Sequence, residues 1–490
     1  MTDRLKLYLI YGSSLAFLAL NIYLIIHDKY WGLLIPLLLL LAILYTFSMG
    51  KVMLLITFLT PLAINLKSSD FNVAISIPTE PMLLAVMLIF IFKLILDGRY
   101  DQRMIKHPVS IAIIINLIWI FITTFTSQLP IVSIKYMVAR LWFVIPFYFL
   151  GMLLFKEKKY IRQFHWAYII PLLVIIFYTV FNHSMHGFVK TYSHLVMKPF
   201  YNDHTAYGAA IAFFFPIILV FIFSSIYKRQ VRILASVVFL ILLTGIILSY
   251  SRAAWISVAF ALVIYLIVIL KIKFRWVGLA LVILLGFFYV FRYQFMEKLE
   301  KNKQDSSSDL VEHVRSISNI SSDASNLERI NRWASAIRLF KEKPIFGWGP
   351  GTYQFVYAPY QRSKEKTIIS TNYGDMGNAH SEYIGPLSES GLLGMLTMLA
   401  IVLLTFNTGL RVYKRAREKE IKVLSMGALL GLTTYYVHGL MNNFLDTDKL
   451  SVPFWAFTAM LVTMDIYYNG KEKGSSEGQS TVTEGQLSEV

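Results

Sequence analysis

Apolar runs of about twenty residues recur from one end of this chain to the other, and that repetition constrains its fold more than any other feature. A backbone crossing hydrocarbon must satisfy its own hydrogen bonds, and few other folds would need so many such runs. Spans are read near 8–26, 31–48, 52–66, 80–97, 108–126, 136–155, 165–181, 205–226, 232–249, 253–270, 275–291, 386–408, 423–439 and 451–468. The expected fold class is therefore all-α, a polytopic transmembrane helical bundle of about 12–14 spans with one large extracytoplasmic loop domain. An apolar content of 56% fits this reading. The first run follows Arg4 and Lys6 and precedes no small-residue cleavage site, so it is read as a retained helix.

A net charge of +17 raises the question of nucleic acid, but the basic residues stand in short clusters between apolar runs, so no nucleic-acid partner is expected. With the N-terminus in the cytoplasm, the clusters around Arg99–Lys106, Lys156–Arg162, Lys228–Arg232, Lys271–Arg275 and Arg411–Lys422 all fall inside. The same count puts residues 292–385 outside. The expected organisation is an N-terminal bundle over 1–291 with about 11 spans, the loop over 292–385, C-terminal helices over 386–468 and a disordered cytoplasmic tail over 469–490.

Within the loop, a Lys/Glu/Ser/Asp-rich stretch up to Ser325 has little to bury and is expected to be mobile. A capping-box pattern at Ser325–Glu328 then opens an amphipathic helix over about 325–341, with Leu327, Ile330, Trp333, Ala334, Ile337 and Phe340 at helical spacing. Lying on the outer leaflet and capping the bundle are both open to it. Pro344 and the turn Gly347–Gly351 end it, and that turn lacks the Lys-Ser/Thr of a phosphate-cradling loop.

The chain has no cysteine, which removes thiolate catalysis and Cys-ligated metals. His183, His186, His194 and His204 crowd one external loop, but with only Asp203 as an acidic partner no metal is expected. Arg252, at the outer junction of two spans, either snorkels to lipid headgroups or acts with Arg329, Arg332 and His380 on the same side of the membrane. Arg329 and Arg332 stand three apart and can grip one anion together. Arg140, inside a span, is either functional or paired with Asp446 or another loop carboxylate.

These residues carry a resemblance. His380-Ser381, nine residues, then Gly391-Leu-Leu-Gly394 fits the pattern His-[Asn/Ser/Gln]-x9-Gly-x-x-Gly of O-antigen ligases, within the O-antigen ligase and O-antigen polymerase superfamily of bacterial envelope enzymes. Tyr250-Ser-Arg252-Ala-Ala-Trp255, Arg329-x-x-x-Trp333 leading to Gly347–Gly351, and Asn202–Tyr207 are similar to further segments of that family, so the resemblance covers about residues 200–460. It implies a GT-C-like, membrane-embedded, metal-independent inverting glycosyltransferase without cofactors. Such an enzyme moves a glycan from undecaprenyl diphosphate to an acceptor hydroxyl, on lipid A-core oligosaccharide or a similar surface acceptor, at the periplasmic face of the bacterial inner membrane, amid membrane lipids. His380 is then the expected base, and Arg252, Arg329 and Arg332 the expected diphosphate ligands. Arg140, Glu389 and Ser381 are supporting candidates, although a place near a helix N-terminus explains Glu389 by the dipole alone. Polymerisation of lipid-linked repeats is the alternative, and transport of a lipid-linked glycan a third reading, disfavoured by the small number of charges inside the spans.

Overall fold

The computed structural model describes residues 3–29, 48–68, 73–98, 100–273, 324–363 and 377–468, with scattered positions in 32–45 and 275–291. The spans read near 31–48 and 275–291, the Ser-rich stretch before residue 324 and the tail after 468 lie wholly or largely outside the described residues. Two compact units are present, one within residues 1–55 and one within 56–474.

The first unit holds α1 (Asp3–Ile26) and the start of α2 (Met49–Leu62). The second holds α3 (Thr79–Asp97), α4 (Pro108–Phe125), α5 (Pro130–Leu154), α6 (Lys158–Met185), α7 (His204–Phe223), α8 (Arg229–Leu248) and α9 (Arg252–Ile269). It continues with α10 (Ala324–Glu342), α11 (Ile384–Arg415), α12 (Lys419–His438) and α13 (Asp448–Tyr467). Among the described residues, α3 to α9, α11 and α13 are long and apolar enough to cross a membrane, so the protein is a polytopic helical membrane protein.

Apolarity and burial do not run in parallel. The span of α8 has a mean hydropathy of 2.7 and only 28% of it is buried, whereas that of α13 has 1.3 and is 83% buried. A helix surrounded by other helices can carry polar groups that lipid would penalise, and α13 carries Asp448, Lys449 and several hydroxyls. At the centre α12 packs against α7 and α9, and α11 packs against α4, α10, α12 and α13.

One expected span is corrected. The run read near 52–66 is helical only to Leu62, and an antiparallel hairpin follows, β1 (Ile64–Ser68) with β2 (Val73–Ile77), pairing Ile64 with Ile77. The buried Lys449 ammonium stops the helix, with Nζ donating to the carbonyls of Thr60 (2.5 Å), Pro61 (3.1 Å) and Ala63 (2.7 Å).

The loop helix α10 forms where expected, but the face it buries is not the apolar stripe. Glu328, Asn331, Arg332, Ser335, Ala336 and Leu339 are buried, while Ile337 of the stripe is 41% exposed and Ile330, Trp333 and Ala334 are half-buried. Helix α10 therefore caps the bundle against α11 with its mostly polar face.

A candidate glycan-transfer site

The segment after α10 is fixed to α11 largely through backbone hydrogen bonds. Trp348 N donates to Ser388 O (3.1 Å), Gly349 N to Glu389 O (2.8 Å) and Leu392 N to Pro344 O (3.0 Å). Such contact requires bare backbone: a Cβ on Gly347 would lie 2.4 Å from Glu389 C, and one on Gly391 2.0 Å from Ile345 O. Gly391 has φ 70 and ψ −169, which kinks α11 there. The Gly-rich turn and the first glycine of the His-Ser-x9-Gly-x-x-Gly pattern are thus two halves of one joint.

That joint sets the frame of the arginines. Tyr353 hydroxyl donates to Arg332 O (2.8 Å), and the Arg332 guanidinium lies 5.4 Å from the Tyr357 ring. Arg332 Nε donates to Glu328 Oε1 (2.8 Å) and Nη1 to Asn378 O (3.1 Å). A Cβ on Gly377 would fall 2.0 Å from Arg332 Nη1, so the chain entering the His380 segment is wrapped on this side chain. Asn378 Oδ1 then accepts His380 N (3.1 Å), and His380 holds a left-handed φ of 48, a strained conformation for a non-glycine residue.

Arg329 Nε donates to Met441 O (3.1 Å), in the segment after α12. It stands close enough to Arg252, Arg332 and Asp203 for their charges to act on one another. Burial, offset by Asp203 and reinforced by Arg332, holds the Arg329 pKa below its usual range. Arg252 begins α9 directly after Ser251, whose hydroxyl accepts Ala254 N (3.4 Å). Ser249 and Ser251 pack on Gly208 of α7, where an added Cβ would meet Ser251 Cβ at 2.9 Å. Asp203 caps α7, its Oδ1 accepting Thr205 N (2.7 Å) and Ala206 N (2.9 Å).

Arg252, Arg329, Arg332 and His380 therefore share one end of the bundle, with His438 at the end of α12 also under the field of Arg329. Burial first, then the charges of Arg329 and Arg332, push the His380 pKa down to about 3, so its imidazole is neutral near pH 7. Among the described residues, Arg329 stands in the field of Asp203 and Arg332 pairs with Glu328 (2.8 Å), and guanidiniums grouped in this way can share one polyvalent anion.

The supporting candidates stand elsewhere or do structural work. Ser381 Oγ accepts the N–H groups of Tyr383 and Ile384 (3.3 Å each), which caps the start of α11. Glu389 Oε1 accepts Tyr353 N (3.1 Å), so it clamps the joint. Arg140, bonded to Tyr136 hydroxyl (2.6 Å), lines a separate small cavity with Asn116, Glu382 and Glu389. Sequence reasoning passed over Glu382, Asn378 and His438. Glu382 alone carried a signal, a charge beside the His-Ser pair at the mouth of an apolar run. Of the four crowded histidines, His183 and His186 donate to Val189 O and Asn182 O, and His194 faces His204 at 2.9 Å. Among the described residues no three His, Asp or Glu side chains group as metal ligands would.

Residues 237–399 match the family model for O-antigen ligase. An uncharacterized protein of Haemophilus influenzae is 27% identical over 105 residues, 21% of this chain. The match spans about a quarter, 25%, of that relative's length.

Proposed function

The chain falls in the O-antigen ligase superfamily through residues 237–399, and from that premise we propose that it transfers a glycan from a lipid-linked diphosphate to an acceptor hydroxyl. The observation that supports this reading is the gathering of Arg329 and Arg332 beside His380, with Arg252 in turn beside Arg329, at one end of the bundle. His380 takes the proton of the acceptor hydroxyl as its oxygen forms a bond to the anomeric carbon, and the bond from that carbon to the phosphate oxygen breaks with its electron pair on the diphosphate. The three guanidiniums hold the charge that develops there, and the configuration inverts. Arg329 and Arg332 oppose protonation of His380. A bound diphosphate neutralises them, so the imidazole regains basicity when the donor is present. The polyprenyl tail of the donor lies between apolar helices, and the site faces the periplasm at the inner membrane. The His380-Ser381 to Gly394 pattern, which resembles that of O-antigen ligases, favours the ligase form, with lipid A-core or a similar glycan as acceptor, over polymerisation of lipid-linked repeats.

Purified protein incubated with undecaprenyl-diphosphate glycan and lipid A-core acceptor, with chelator present, tests this. Glycan joined to the core by wild type and not by His380→Ala is the expected result. Elongation of the donor without core transfer indicates a polymerase instead. Equal product from His380→Ala removes His380 as the base, and turnover abolished by chelator refutes the metal-free mechanism.

A further inference from the structure

Glu382 is a buried carboxylate with an unusual share of donors on one oxygen. Its Oε1 accepts Tyr435 hydroxyl (2.6 Å), Phe444 N (2.8 Å) and Leu445 N (2.9 Å), and its own N–H donates to Gly439 O (2.8 Å). A Cβ on Gly439 would come within 3.1 Å of Glu382 Cγ, so the two segments touch backbone to side chain. The 439–445 segment is folded around this one group, and the same segment presents Met441 O to Arg329 Nε (3.1 Å) and Asn442 Nδ2 to His438 (3.1 Å). Two residues before Glu382 stands His380. Arg140 lines the cavity beneath with Glu382, and each acts on the other's charge.

We propose that Glu382, with Arg140 as its counter-charge, is a positioning residue that fixes His380 relative to Arg329 by tying the base segment and the arginine's carbonyl acceptor to one carboxylate. This rests on the reading of His380 as base and Arg329 as diphosphate ligand. Catalytic groups must be held within roughly 0.5 Å of their productive placement, and His380 and Arg329 come from chain segments about fifty residues apart. The Glu382 carboxylate is where the 380 segment and the 441 segment meet, and its charge in a buried setting is stabilised by its three donors and by the field of Arg140. Arg140 then has a role without touching substrate.

The test compares wild type, His380→Ala, Glu382→Gln, Arg140→Gln, the Glu382→Gln/Arg140→Gln double variant and the milder Tyr435→Phe, all in the same lipid nanodiscs. Hydrogen exchange is followed in peptides covering 378–384 and 439–445, together with kcat and donor KM. Glu382→Gln is expected to raise exchange in both peptides together and to lower kcat roughly ten- to hundredfold, with donor KM within about twofold. Tyr435→Phe should move both readouts the same way by less. The double variant should be no worse than Glu382→Gln alone, because the two residues act as one unit. Exchange that changes in one peptide or in neither, or full kcat in a folded Glu382→Gln protein, overturns the proposal. If wild type transfers nothing, the functional reading fails, while the paired exchange response still decides whether Glu382 joins the two segments.

Discussion

Replacing Gly391 with alanine should release the 344–351 segment from α11. At φ 70 and ψ −169 the residue occupies backbone space that only glycine enters freely, and forcing alanine there costs about 1–3 kcal/mol. The added methyl would stand 2.0 Å from Ile345 O and 2.7 Å from Pro344 O, far inside contact distance and against backbone that cannot rotate away. Relief requires the segment to withdraw, which breaks the Trp348–Ser388, Gly349–Glu389 and Leu392–Pro344 bonds, each contributing about 1 kcal/mol net. The sum is about 4–6 kcal/mol on a local unit, enough to raise its opening constant by roughly a thousandfold or more. Because Tyr353 and Arg332 hang from this joint, transfer should fall with it. The assay is hydrogen exchange over 344–351 alongside the transfer rate, with Gly385→Ala as control, since a Cβ there meets only Ala379 Cβ at 3.8 Å. Equal protection and equal rate in Gly391→Ala and Gly385→Ala would show that the 344–351 segment does not depend on bare backbone at Gly391.

Three further outcomes are expected. Because burial and the charges of Arg329 and Arg332 hold the His380 pKa down to about 3, the neutral base persists as pH falls from 7 to 5, and kcat/KM should show no acid limb from it in that window. Arg332→Gln removes one opposing charge and should move the limb to higher pH; a wild-type limb near 6.5, the ordinary histidine value, contradicts this. Arg329→Lys keeps the charge but loses the planar fork and the bond from Nε to Met441 O, so kcat/KM should drop about 10- to 100-fold, and a change within about twofold would show that a point charge suffices. Lys449→Met leaves the carbonyls of Thr60, Pro61 and Ala63 without their donor and should destabilise the bundle by about 3–5 kcal/mol, read as a lower melting temperature in detergent.

Nine of the spans read coincide, among the described residues, with helices long and apolar enough to cross a membrane, because lipid and the bundle core both demand apolar runs of helical length, and α7 at 204–223 and α9 at 252–269 lie within a few residues of the positions read. The hairpin after Leu62 was not, because Ile64 and Leu66 prolong the apolar run and nothing nearby in sequence announces that Lys449 will stop the helix. Helix α10 shows a second limit. Its period revealed a helix with two faces, but which face is buried depends on what lies opposite, and here that is the Tyr353 and Tyr357 rings, on which Ala336 and Leu339 pack, and the carbonyls of Asn378 and Tyr360, which accept from Arg332 and Ser335.

A membrane-spanning helical chain was readable from the apolar runs, and His380, Arg252 and Arg329 stood out through their outer placement together with the resemblance of their motifs to O-antigen ligases. Only tertiary structure decided that they stand together and what holds them there. The groups that do so, Asp203, Asn378, Glu382 and the carbonyl of Met441, come from segments far apart in the chain, and their roles exist only as hydrogen bonds and fields between those segments.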